Sequence, residues 1–117
     1  MIRTRLALVA AVAVTALGLT AVAQAASSLT GTVGPGFTIT LTQGGKKVSK
    51  LKAGTYTIKI ADKSNIHNFH LTGPGVNKST SIGGTGTSTW KVTLKKGKYS
   101  YVCDAHSSSM FGSFTVK

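Results

Sequence analysis

An all-β sandwich is the fold class this sequence predicts, on three observations. From Ser28 onward no stretch sustains helical periodicity. Short runs of β-branched and aromatic residues are instead punctuated by Gly, Thr and Ser. In the clearest run, 55–60, Tyr56, Ile58 and Ile60 alternate with polar neighbours and so share one face, which is expected to be buried.

The elements follow in chain order. Arg3 and Arg5 precede an almost unbroken apolar run, 6–23, that ends in Ala23-Gln24-Ala25, the layout of a secretory signal peptide. Residues 1–25 are therefore expected to be a leader and 26–117 one exported domain; an uncleaved leader would tether the same domain to the outer face of a membrane. About 92 residues suffice for a single core, in a size range where a bound metal adds usefully to stability. Strands are expected near 37–42, 55–60, 67–72, 87–94, 99–103 and 111–116. Turn signals separate them at Gly44-Gly45, Ala53-Gly54, Gly73-Pro74-Gly75, Gly83-Gly84 and Lys96-Gly97. Seven or so short strands at this spacing suggest a β-sandwich. The Gly/Ser/Thr-rich segment 78–88 reads as a loop or irregular edge, and Trp90 and Val92, alternating with Lys91 and Thr93, as core residues of a strand with one dry face.

Charge bounds the partners. The whole chain has 14 basic and 2 acidic residues. Without the leader's two arginines, twelve lysines stand against Asp62 and Asp104, a balance of +10. Such a field attracts anionic surfaces, whether acidic redox proteins, membrane head groups or cell-wall polymers, and weakens with salt. Nucleic acid is disfavoured: the chain reads as exported, carries no nucleic-acid-binding motif and scatters its lysines along strands and turns. A solvated lysine surface that blunts sheet edges is the plain alternative.

The chemistry concentrates near the C-terminal end. Cys103 is the only cysteine, so it forms no internal disulfide. It opens a C-x2-H-x3-M pattern that places a thiolate, the His106 imidazole and the Met110 thioether within eight residues. A loop joining two strands can aim all three at one centre, and an imidazole from a distant strand would complete a set suited to copper: two His and one Cys in a plane with a long axial Met. Zinc accepts Cys and His but is poorly served by Met. The distant imidazole must come from His67 or His70, which face opposite sides of a strand. Phe69 and Leu71 are in phase with His67, and Asn68 with His70, so His67 is expected on the inward face and His70 on a surface or hydrogen-bonding position.

With His67-Asn68 upstream and Tyr101-x-Cys103-x-x-His106-x-x-x-Met110-x-Gly112-x-Phe114-x-Val116 downstream, the sequence resembles the cupredoxins of the plastocyanin and pseudoazurin type. The resemblance implies a Greek-key sandwich with one type 1 copper at one end, ligated by His67, Cys103, His106 and weakly by Met110, and an Asn68 side chain that braces the cysteine loop. It also implies that His106 sits at the solvent edge and passes electrons. Two features depart from relatives: Ala105 stands where a proline is often found, and Ser107-Ser108-Ser109 is more polar than their apolar collar.

The expected function is electron transfer between exported or membrane-bound redox partners, at a periplasmic or extracellular, envelope-associated location. Val102 and Asp104 flank Cys103, so the histidine that relays electrons to a second copper in multicopper enzymes is missing, and one cysteine is too few for a binuclear site. Two acidic residues leave general acid–base catalysis little to work with, so no enzyme is expected. Envelope copper storage or delivery on the same fold is the alternative, and a cationic binding module a third reading.

Overall fold

The clearest alternation in the sequence becomes one of the two longest strands. In the computed structural model, which describes residues 27–117, the run around 55–60 extends to a nine-residue strand in which Tyr56, Ile58 and Ile60 are buried. In chain order the strands are β1 (Ser27–Val33), β2 (Ile39–Gln43), β3 (Lys46–Lys47), β4 (Lys50–Leu51), β5 (Gly54–Asp62), β6 (His70–Gly73), β7 (Val76–Ser79), β8 (Gly86–Leu94), β9 (Gly97–Val102) and β10 (Phe111–Val116). A single 3-10 turn, Asp104–His106, lies between the last two. The expected leader lies outside the described residues.

The strands form two five-stranded sheets, ordered β3-β2-β1-β5-β8 and β4-β10-β9-β6-β7. Most neighbours are antiparallel; β1 with β5 and β4 with β10 run parallel. The facing sides bury Leu29, Leu41, Ile58, Ile60 and Leu94 of the first sheet against Leu71, Tyr99, Tyr101, Phe114 and Val116 of the second. This is the all-β sandwich the alternation foretells.

Aromatic rings order the core of the second sheet. Tyr99 stacks on Phe114 at 5.2 Å and Tyr101 on Phe69 at 5.3 Å. Both tyrosines need glycine opposite them: a Cβ at Gly73 would overlap the Tyr99 ring, and one at Gly112 the Tyr101 ring. The Tyr99 hydroxyl donates to Pro74 O at 2.8 Å and accepts from Lys95 N–H at 2.9 Å, pinning two turns at one end of the sandwich. Burial pushes the Tyr101 phenol above its ordinary pKa.

Several boundaries differ from the sequence expectation. The segment expected as strand 67–72 enters its ladder only at His70; residues 67–69 are irregular, and all three are buried. Phe37, expected in a strand, lies in the loop before β2 and is exposed. Segment 78–88 is strand at both ends, with the loop confined to 80–85. Trp90 is partly buried and packs against the core beside buried Val92. Two short lysine-bearing strands, β3 and β4, and the first strand, β1, complete the sheets.

Topology gives the sandwich two distinct ends. Loops 34–38, 63–69, 80–85 and 103–110 join strand ends at one of them. Segments 44–53, 74–75 and 95–96 turn at the other.

Candidate metal centre

The loop end gathers His67, Cys103 and His106. Cys103 leaves the end of β9 and is wholly buried; its N–H donates to Met110 O at 3.0 Å, which closes the loop back onto β10. Inside that loop the 3-10 turn lets His106 N–H donate to Cys103 O at 3.0 Å and Met110 N–H donate to His106 O at 2.9 Å. This compact turn brings His106 back over Cys103 and carries Met110 into a buried position.

His67 arrives from the loop after β5 and is also wholly buried. Its Nδ1 lies 3.1 Å from His106 Nδ1 and 3.8 Å from Cys103 Sγ, and His106 Nδ1 lies 3.6 Å from the same sulfur. A circle through these three donor atoms has a radius of about 2.0 Å, the length of a bond from a transition-metal ion to an imidazole nitrogen and a little under that to a thiolate. The three atoms thus surround a point at coordination distance, in or near one plane. Two imidazoles and one buried thiolate in a trigonal plane, with a buried thioether from the same loop, fit copper better than zinc.

The surroundings hold the donors still. Asn68 N–H donates to Cys103 Sγ at 3.4 Å, which fixes the sulfur's position. The Asn68 side chain is buried and reaches the residue after the cysteine twice: Nδ2 donates to Asp104 Oδ2 at 2.8 Å, and Oδ1 accepts from Asp104 N–H at 2.8 Å. Nδ2 also donates to Thr80 O at 3.3 Å, while Thr80 Oγ1 accepts from Phe69 N–H at 2.9 Å. Asn68 therefore ties the histidine segment, the cysteine loop and loop 80–85 together.

His70 does not join the donors. Its Nδ1 lies 2.9 Å from Asp104 Oδ1 and its Nε2 lies 2.7 Å from Asn77 Oδ1. Both ring nitrogens face oxygens, which favours the imidazolium; the hydrogen bond to Asp104, then that to Asn77, raises the His70 pKa. The bond to His70, then that to Asn68, lowers the Asp104 pKa.

Above the donors lies Phe37. Its ring meets His67 edge-on at 5.1 Å and His106 at 4.9 Å, yet it remains 61 % exposed. The turn before it depends on Gly34, whose φ of 72° is left-handed and where a Cβ would come within 3.3 Å of His67 Cδ2. Phe37, Thr80 and the Asp104–His70 pair were not singled out by the sequence reading. The Gly34-Pro35-Gly36 turn signal before Phe37 is the one local cue that it belongs to a loop.

Residues 8–116 match the family described as cupredoxin-like domain. The chain belongs to the cupredoxin-like family. A comparison with curated proteins finds no match in sequence. Similar solved structures include reduced rusticyanin (19 % identity over 77 % of this chain and 78 % of that one, TM-score 0.58) and rusticyanin from Thiobacillus ferrooxidans (21 %, 77 % and 76 %, 0.53). Auracyanin from Roseiflexus castenholzii, reduced with dithionite, is another, at 21 % identity over 80 % of this chain and 98 % of that one, with a TM-score of 0.57. At these identities the likeness is one of fold, and the two-sheet sandwich of this cupredoxin-like chain is what it supports.

Proposed function

We propose that this chain is an exported type 1 copper protein that carries single electrons between redox partner proteins. In this reading His67, Cys103, His106 and Met110 would hold the copper, Asn68 would brace the cysteine loop, and residues 1–25 would be the export leader. The observation that carries it is the convergence of two Nδ1 atoms and one Sγ within 3.1–3.8 Å of one another. Copper bound there would supply a one-electron couple that soft sulfur and imidazole donors stabilise in both oxidation states. Rusticyanin is described as a copper protein, and both rusticyanin and auracyanin are described in reduced form.

The chain's own residues supply rigidity and access. Buried His67, Cys103 and Met110, tied by backbone hydrogen bonds and by Asn68, keep the donor positions fixed, so a change of charge at their centre moves few atoms. Half-buried His106, edge-on to exposed Phe37, offers the short path to a partner. Val102 and Asp104 beside Cys103 leave no histidine to lead electrons to a second copper, which favours a carrier over an enzyme. The sequence reading expects partners with acidic docking surfaces, but the loops at this end carry only Lys63 and Asp104 as charged residues. In this reading contact with a partner draws on exposed Phe37, Ile66 and Ile82, set among polar loop residues that include Ser107, Ser108 and Ser109.

The test is spectroscopic. The exported chain titrated with Cu(II) should develop intense thiolate-to-copper absorption and a matching electron-paramagnetic signal. Both should vanish in Cys103→Ser and His67→Ala and persist in His70→Ala. A colourless wild type, or colour that depends on His70 rather than His67, overturns the reading.

A further inference from the structure

The charge of this chain is sorted to one end. Six exposed lysines, Lys46, Lys47, Lys50, Lys52, Lys95 and Lys96, occupy the segments that turn at the pole opposite His67 and Cys103. Register extends the cluster onto the adjoining sheet face, where Lys50 and Lys98 flank Thr115 in one row. Neither acidic residue neutralises it: Asp62 ends β5 at the metal end, and Asp104 is engaged by His70 and Asn68. Among the described residues no lysine pairs with a carboxylate.

Apolar exposure is sorted the other way. The large exposed hydrophobic residues, Phe37, Ile66, Ile82 and Phe111, all belong to the metal end. Among the described residues the lysine pole thus lacks the exposed aromatic or aliphatic anchors on which protein interfaces rest, and lysine is itself depleted in such interfaces. Exposed cations spread over two separate segments suit a diffuse anionic surface instead.

The direction of the chain says which surface. β1 runs parallel to β5, with Ser27 paired to Tyr56, so the chain enters the sandwich at the lysine pole. The apolar run 6–23 ends a few residues earlier. Kept as an anchor, that segment would hold the lysine pole, not the metal end, beside the bilayer.

We propose that the lysine pole docks on anionic phospholipid head groups and holds the metal end pointing away from the membrane. The docking goes beyond electron carriage and is independent of metal, so a protein that failed to bind copper could still show it.

The metal-free full chain is sedimented at about 0.1 M salt with vesicles of phosphatidylcholine alone and with about one-third phosphatidylglycerol. The readout is the ratio of the two affinities, which an apolar segment partitioning into both leaves unchanged. Each lysine at the surface contributes about fivefold to this ratio, so Lys46, Lys50, Lys52 and Lys96 changed together to Gln should lower it by about two to three orders of magnitude. Changing Lys59, Lys63, Lys78 and Lys91 to Gln removes the same charge elsewhere and should lower it less than about tenfold.

Equal losses in the two variants would mean that net charge alone drives binding, and would overturn the proposal. So would a wild type without preference for the anionic vesicles, or one that binds soluble polyglutamate as tightly as vesicles. Spin-labelled head groups supply the orientation: they should broaden amide signals of 44–53 and 95–97 and spare those of Phe37, Ile66 and Ile82. The reverse pattern refutes it.

Discussion

Replacing Asn68 with Ala tests whether one amide organises the metal centre. The change deletes three hydrogen bonds, two to Asp104 at 2.8 Å and one to Thr80 O at 3.3 Å, from a side chain only 2 % exposed. A net hydrogen bond contributes about 0.5–1.5 kcal/mol, and a buried group left unpaired costs about 1–3 kcal/mol. The Asp104 carboxylate is exposed enough to be rewetted and keeps His70, so it contributes little; the Asp104 N–H and Thr80 O carry the loss. The expected destabilisation is about 2–4 kcal/mol, which for a domain of this size shifts the urea midpoint by about 2–3 M at unchanged slope. Urea unfolding of the metal-free protein measures it, and hydrogen exchange at the Asp104 amide, which should accelerate, locates it. Asn68→Asp sharpens the test: it keeps the acceptor for Asp104 N–H but sets a second carboxylate against Asp104, so it should be worse than Ala at neutral pH and recover as acid protonates one of the pair. A loss below about 1 kcal/mol with an unchanged Asp104 amide would refute the bracing argument.

Four further outcomes are expected. Gly112→Ala drives a Cβ into the Tyr101 ring and should destabilise the metal-free protein by about 1–3 kcal/mol in the same unfolding assay, with changed near-ultraviolet dichroism from the displaced tyrosine. Gly34→Ala combines a left-handed φ of 72° with a Cβ 2.9 Å from Ser64 Cβ, and should cost at least about 1–2 kcal/mol while broadening the His67 ring resonances. Because the His70 pKa is raised above 6.5, its pair with ionised Asp104 contributes fully below that pH and fades as pH rises through the folded value; the stability gap between wild type and His70→Gln should therefore shrink from pH 6 toward pH 9. Partial exposure keeps that gap at or below about 1 kcal/mol. Electron exchange through the metal end should change little between about 0.1 M and 0.5 M salt, where screening already isolates the two poles, as stopped-flow measurement would show, whereas a steep fall over that range would mean that the lysines reach that face after all.

Much of the fold was legible because the inward faces alternate cleanly. Tyr56, Ile58 and Ile60, or Trp90 and Val92, have no other way to share a dry surface, and they mark β5 and β8. What escaped notice has physical reasons too. The two-residue strands β3 and β4 are nearly all lysine and earn their ladder bonds from neighbours rather than from any pattern of their own. The side-chain pattern of β1 is interrupted at Gly31, whose missing side chain makes room for the Phe69 ring at a place where a Cβ would lie 3.0 Å away. The candidate site was legible as a list of residues, because C-x2-H-x3-M packs three metal-capable groups into one loop. Its bracing was only partly so. Asn68 shares a strand phase with His70 on paper, but the chain is irregular through 67–69, so alternation lapses and consecutive residues His67, Asn68 and Phe69 are all buried. The partnership of His70 with Asp104 joins residues 34 apart in sequence, and nothing local announces it.

Charge was the feature the sequence displayed most plainly and located least well. A balance of +10 invites the idea that lysines draw an acidic partner to the electron-transfer face. The topology separates the two. β5 alone carries the chain from one pole to the other, about 27 Å at 3.3 Å per residue. Over that distance a Debye length of about 8 Å reduces a lysine's influence to roughly 3 %. At short range the lysine pole therefore acts on what lies beside it and the metal end on what touches Phe37 and His106. At long range the separation makes the molecule a dipole, which turns its lysines, not its metal, toward any anionic surface. In the docking proposed here an anionic bilayer takes one end and leaves the other free, so contact with a redox partner there would draw on short distance and on exposed Phe37, Ile66 and Ile82 rather than on opposite charge.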